Sequence, residues 1–187
     1  MKRRNFLKIA APVVALPVVG TWAFDHHFSS HNGAKRSLAF TSLDGAIQEL
    51  NKIKSSADFT LESGWSLYQN LIHCAQSIEF SMDGFPEMKS ELFQNTIGSL
   101  VFNHFEKQGY MRHNRAEAIP GAPDITKEGN LDKAFDRVEQ AVIKFDQFSG
   151  ALKPHFAYGQ LSKSEYEEAH CMHLADHFAM ITFGTSS

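Results

Sequence analysis

Ser162-Lys163-Ser164-Glu165-Tyr166-Glu167-Glu168-Ala169-His170-Cys171-Met172-His173-Leu174-Ala175-Asp176-His177-Phe178 is the stretch from which the rest of the chain is best read. Ser162 and Glu165 stand three residues apart, the spacing of a capping box, in which each side chain accepts from the other residue's backbone N–H at a helix start. The pattern predicts a helix from there to about Phe183. At 100° per residue, His173 and His177 fall one turn apart on one face, with His170 beside them and Tyr166, Met180 and Ile181 along the same stripe. Imidazoles at i and i+4 lean together and can meet at one metal ion. A lone histidine on an apolar face is usually a core residue satisfied by one hydrogen bond. Three on one stripe, each where a core would take an apolar residue, point to a metal.

Two ligands from one helix do not complete a site, so a third must come from elsewhere. From Ser63 to Ile78, sixteen residues contain no Asp, Glu, Lys or Arg. One side of this predicted helix carries Tyr68, Leu71, Ile72, Ala75 and Ile78. The other carries Ser66, Gln69, Asn70, His73 and Ser77, with Gln76 at its edge. A solvated helix face normally carries charge, so this uncharged polar stripe reads as the lining of a cavity, with His73 as the third ligand. His170 has three roles open to it: a fourth ligand, a neighbour that orients a ligand, or a polar contact for substrate. Gln69 and Gln76 are candidates for the same supporting role. A metal site of this kind needs a proton carrier nearby, and Tyr166 and His155 are the candidates. Cys74 and Cys171 each sit about 100° from the histidine before them, which argues against pairing.

Outward from these two helices the pattern stays helical. Thr41-Ser42-Leu43-Asp44 offers a hydroxyl cap, followed by Leu43, Ile47, Leu50 and Ile53. A further helical stretch spans Glu87 to Lys107, interrupted by Gly98. Another runs from Leu131 to Phe148, with Ala134, Phe135, Val138, Ala141, Val142 and Phe145 on one side. Residues 108–130 hold Ile119-Pro120-Gly121-Ala122-Pro123-Asp124 and read as the longest irregular connection. No stretch alternates cleanly over six residues. The expected fold is all-α: a four-helix bundle with an additional helical segment between its second and third long helices.

The chain of 187 residues suits one such domain. It opens Met1-Lys2-Arg3-Arg4-Asn5-Phe6-Leu7-Lys8 and then runs uncharged from Ile9 to Ala23. That apolar run is too short for a spanning helix and is interrupted by Pro12 and Pro17. The opening resembles a twin-arginine export signal, which implies a folded cargo and the twin-arginine export machinery as a partner. The expected division is a signal segment at 1–23, a linker at 24–40 and the helical domain at 41–187. The expected location is exported: periplasmic, or anchored to the membrane if the signal is not cleaved. Formal net charge is -3; without Lys2, Arg3, Arg4 and Lys8 it falls to -7, with 14 basic against 21 acidic residues. That balance excludes a nucleic-acid footprint. A homodimer stays open.

A histidine in the second helix, His73, followed by His173-x-x-x-His177 in the last, resembles the DinB/YfiT-like superfamily of four-helix-bundle metalloproteins. Residues 154–178 further resemble a domain family of unknown function within it, in which a His-Phe-rich turn ending in Gly precedes a Leu-Ser-x-x-x-Tyr/Trp helix start and the histidine pair. The resemblance covers roughly residues 40–183. It implies a divalent metal (zinc, nickel or iron) on His73, His173 and His177, with positions left for water or a small-molecule substrate. Characterised relatives include thiol S-transferases and a thiol-dependent isomerase. The function expected is that of an exported metalloenzyme carrying out hydrolysis or group transfer; the alternative is a non-catalytic bundle that binds metal or a small ligand.

Overall fold

The computed structural model describes residues 34–184; the 1–23 stretch, read from sequence as a twin-arginine signal, and most of the 24–40 stretch lie outside the described residues. The described chain is mostly helical, as the periodicity predicts. Four long helices are α1 (Leu43–Ser55), α2 (Leu67–Asp83), α5 (Leu131–Gln147) and α6 (Lys163–Phe178). Two shorter ones, α3 (Glu91–Phe93) and α4 (Ser99–Gln108), flank a π-helical turn, Gln94–Gly98. Helix α2 packs on α5 and on α6, and α1 closes the ring by packing on α6 and on α5. No described helix is long and apolar enough to cross a membrane.

Each long helix starts on a side-chain cap. Ser42 accepts from the Gly45 N–H, Asn130 from Lys133, and the pairs Ser66/Gln69 and Ser162/Glu165 both form complete capping boxes. The apolar stripe of α5 (Ala134, Phe135, Val138, Ala141, Val142, Phe145) is buried, as are Leu43, Leu50 and Ile53 of α1. Residues 35–40, read from sequence as the end of a linker, are docked. The backbone N–H groups of Lys35 and Arg36 both donate to Ala179 O, and the Phe40 ring meets Phe178 edge-on.

The structure departs from the sequence reading in two elements. The last helix stops at Phe178, and Ile181–Phe183 forms a strand, β2, paired antiparallel with β1 (Phe59–Leu61) in the register Leu61 opposite Ile181. Ile181, Thr182 and Phe183 are β-branched or aromatic and favour an extended backbone, but three residues are too few to show as alternation. The stretch expected as one helix from Glu87 begins only at Glu91 and changes pitch at Gln94–Gly98. A close approach goes with that change. A Cβ on Gly98 would lie 1.8 Å from the carbonyl oxygen of Ala157, so only glycine lets the 155–159 turn press against this point. Gln94 Nε2 holds the same turn by donating to Phe156 O at 3.3 Å.

Candidate metal centre

Helix α6 differs from the others in being buried nearly all round. Every residue from Ala169 to Phe178 is buried, including His170, His173, Asp176 and His177. Helix α2 brings buried His73 and Asn70 against it. The histidines named from sequence, His73, His173 and His177, are brought together, and a fourth joins them: His113, from the irregular 109–130 connection. One nitrogen from each of the four lies within 4.8 Å of every other. His73 Nε2 and His173 Nε2 are 3.1 Å apart, and His177 Nε2 and His113 Nε2 are 3.2 Å apart.

The supporting hydrogen bonds decide which nitrogens face inward as lone pairs. Asn70 Nδ2 donates to the carbonyls of Ser66 and Trp65, which can only accept, so its Oδ1 is the atom 2.7 Å from His177 Nδ1. His177 therefore carries its proton on Nδ1 and presents a bare Nε2 to the cluster. His113 Nδ1 lies 3.1 Å from Asp176 Oδ2. The other oxygen of that buried carboxylate accepts from Arg115 Nη2 at 2.5 Å, and Arg115 Nε holds the Asp176 backbone carbonyl at 3.1 Å. His113 Nδ1 and Asp176 Oδ2 are not aligned for a hydrogen bond, but a carboxylate this close to Nδ1 favours the proton there and leaves Nε2 bare. Two bare lone pairs at 3.2 Å repel unless a cation lies between or beside them. Three of the four rings disfavour a proton, because burial holds His177 and His173 well below their usual pKa and His73 at about 3, with the neighbouring imidazoles adding to the effect.

A divalent ion fits this donor set. Burial keeps His73, His173 and His177 neutral, Asn70 fixes the His177 tautomer as amides commonly do behind metal-bound histidines, and nitrogens about 3.4 Å apart are what ~2.1 Å bonds at tetrahedral angles require. His73 Nδ1 is buried without a hydrogen-bond partner, so that ring is held by packing, edge-on to Trp65 with centroids 5.2 Å apart.

A cavity of about 240 Å³ opens against this cluster, lined by His73, His113 and His173 at one part and by Phe93, Val101 and Ile119 among its apolar walls. His170 lines it too, outside the four-histidine group. Ser81 Oγ donates to Ile78 O, so it accepts from His170 Nε2–H at 3.3 Å. Burial keeps the His170 pKa near 3, and its ring packs edge-on against Phe145.

The remaining sequence candidates hold other positions. Gln69 does not support the cluster: its Oε1 accepts from Ser66 N–H in the cap and its Nε2 donates to Ile125 O. Gln76 is buried with Oε1 unpartnered and is not among the residues lining the cavity. Tyr166 lines the cavity, but its hydroxyl donates to Lys153 O at 2.7 Å and burial raises its pKa, so it is a poor proton carrier. His155 lines it as well, with Nδ1 accepting from two backbone N–H groups. Cys74 and Cys171 are free buried thiols. Sequence reasoning missed His113, Asp176 and Arg115, because no periodicity marks a histidine in an irregular connection. The one available signal was a His two residues before an Arg in a segment otherwise rich in turn formers.

Comparison with curated proteins and with solved structures finds no match. The model of the family described as protein of unknown function DUF1569 matches residues 32–183, and the chain belongs to that family.

Proposed function

We propose that this chain is an exported four-helix-bundle metalloprotein of the DinB/YfiT-like type, holding one divalent ion and carrying out hydrolysis or group transfer on a small substrate in the adjoining cavity. His73, His173 and His177 are the ligands, and His113 is a fourth donor brought by the 109–130 connection. The observation that carries the reading is the meeting of four imidazoles, with His113 Nε2 and His177 Nε2 3.2 Å apart, His177 fixed from behind by the Asn70 amide oxygen and His113 standing beside the Asp176 carboxylate. Bound to neutral imidazoles, a zinc, nickel or iron ion keeps its +2 charge and supplies Lewis acidity at the wall of the cavity.

The chain's own residues supply the rest. Asn70 holds the tautomer of His177, the Asp176 carboxylate stands 3.1 Å from His113 Nδ1, and Arg115 keeps that carboxylate in place. Phe93, Val101 and Ile119 shed water from the chamber. Glu117, exposed at the rim, is the one carboxylate in the lining among the described residues and the best-placed proton carrier. The alternative, a non-catalytic metal or ligand carrier, is favoured by Tyr166, whose proton is committed to a backbone carbonyl.

The paired Arg3-Arg4 and the uncharged run to Ala23 support export through the twin-arginine machinery, to the periplasm or to a membrane-anchored position. The test is the metal content of protein purified from its own host, in wild type and in His173→Ala. One ion per wild-type chain, largely lost in the variant, is expected; equal metal in both overturns the site. Export of an Arg3→Lys, Arg4→Lys double variant as efficient as wild type would overturn the targeting.

A further inference from the structure

His155 sits in the cavity on a turn that is unusually well fixed. Its backbone N–H donates to Gly159 O at 2.7 Å and its carbonyl accepts from the Gly159 N–H at 3.1 Å. Its ring lies flat on Tyr158, with centroids 4.1 Å apart and planes 6° apart, and meets Phe85 edge-on at 4.9 Å and Phe156 at 4.6 Å. Gly98 admits this turn to the cavity wall, since a Cβ there would strike Ala157 O.

The chemistry of the ring follows from its neighbours. The backbone N–H groups of Ala157 and Tyr158 both donate to His155 Nδ1, each at 3.2 Å. A nitrogen that accepts cannot carry a proton, so the ring is neutral with its hydrogen on Nε2. Protonating the ring would set Nδ1–H against two N–H donors. Burial acts in the same direction and lowers the His155 pKa to about 3. Such a ring cannot shuttle protons near neutral pH, but it can donate one hydrogen bond in a fixed direction. Among the described residues, no side chain or carbonyl accepts from Nε2.

The other lining residues say what kind of molecule this donor would meet. Among the described residues, Lys89 and Glu117 are the only Lys, Arg, Asp or Glu side chains in the lining, and both are exposed, so they stand at the rim. Away from the histidine cluster the walls are mostly apolar, with Phe93, Val101, Met111, Ile119 and Phe156, and their polar side chains, such as Ser77 and Asn114, are uncharged. A charged group there would lose its hydration without a partner. A volume of about 240 Å³ lies just below the usual ~300–1,000 Å³ range of ligand pockets and suits a molecule of about one ring.

We propose that His155 is the ligand-orienting hydrogen-bond donor of this cavity, and that the ligand is a small uncharged molecule with an apolar body and a carbonyl or hydroxyl oxygen that accepts from His155 Nε2–H. This rests on the reading of the cavity as the ligand chamber of the histidine cluster.

The test uses the full chain, metal-free, at pH 7, with benzamide as probe and benzoate and benzylamine as charged counterparts. Benzamide should bind more tightly than either. His155→Phe, which keeps an aromatic ring on the turn and removes the donor, should weaken benzamide about five- to tenfold, and His155→Gln, which restores an N–H donor, should recover part of that loss. In the wild type, side-chain ¹⁵N shifts should give His155 as the neutral Nε2–H tautomer. An imidazolium or Nδ1–H pattern, no benzamide binding, or equal binding by wild type and His155→Phe would overturn the proposal. Metal content is read separately. A chain that holds no ion yet shows the benzamide pattern defeats the metal reading and keeps this one; a metal-bearing chain indifferent to His155→Phe does the reverse.

Discussion

Helices α5 and α6 are of nearly equal length, 17 and 16 residues, yet they use burial in opposite ways. Helix α5 buries one apolar stripe and turns Asp136, Glu139 and Lys144 outward, so its sequence reads directly as an amphipathic helix. Helix α6 buries ten consecutive residues from Ala169 to Phe178, and four of them are His or Asp. An ordinary core would replace those four with apolar side chains, because each buried polar group costs free energy unless it is partnered. The first helix is built for stability. The second gives up core-forming positions to hold a buried constellation of imidazoles.

That contrast can be broken experimentally at several strengths. Phe145→Ala on α5 should cost about 3–5 kcal/mol of folding stability in chemical denaturation, as large aromatic truncations in cores do, while the folded protein keeps its metal affinity. His177→Ala on α6 should do the opposite. Metal affinity should fall by roughly 10²–10³-fold, about 3–4 kcal/mol, in a competition titration, with no comparable loss of apo stability. Asp176→Asn should weaken metal binding by about 10–100-fold, since it removes the charge that fixes His113. An effect of Asp176→Asn as large as that of His177→Ala would mean that the carboxylate itself is a ligand.

Acid should separate the two helices further. His73, His155 and His170 all have pKa values near 3 in the folded chain, against about 6.5 when unfolded. The unfolded chain therefore binds these protons first. Metal-free protein should have this contribution in full above about pH 6.5 and lose it progressively toward pH 3. Thermal unfolding between pH 7 and 4 checks it, and a flat melting temperature would contradict the burial of these rings. The smallest effect belongs to Ser162→Ala, which should cost about 1 kcal/mol by removing the α6 cap without touching the cluster.

The same contrast explains what was legible in the sequence. Helix α5, the caps at Ser42 and Ser162, and the His173–His177 pair follow from local spacing, and His73 stands out by the charge-free polar stripe around it. His113 does not. It lies in a connection whose path is set by Gly109 in the left-handed region, by buried Met111 and Ile119, and by the Arg115–Asp176 pair, which join residues 61 apart. Nothing local encodes such a contact. Gln69 misled for a related reason: it shares a polar stripe with His73, yet its position three residues after Ser66 makes it a capping residue, and the cap takes its side chain. The three-residue strand after Phe178 was invisible because its partner, Phe59–Leu61, lies at the far end of the chain.

X-ray absorption at the metal edge, on protein loaded with one equivalent of zinc, reads the ligand set itself. A first shell at about 2.0–2.1 Å with at least three imidazole nitrogens is expected, one of them lost in His113→Ala. A shell dominated by oxygen or sulfur, or one unchanged when His73, His173 and His177 are replaced in turn, would contradict the histidine site.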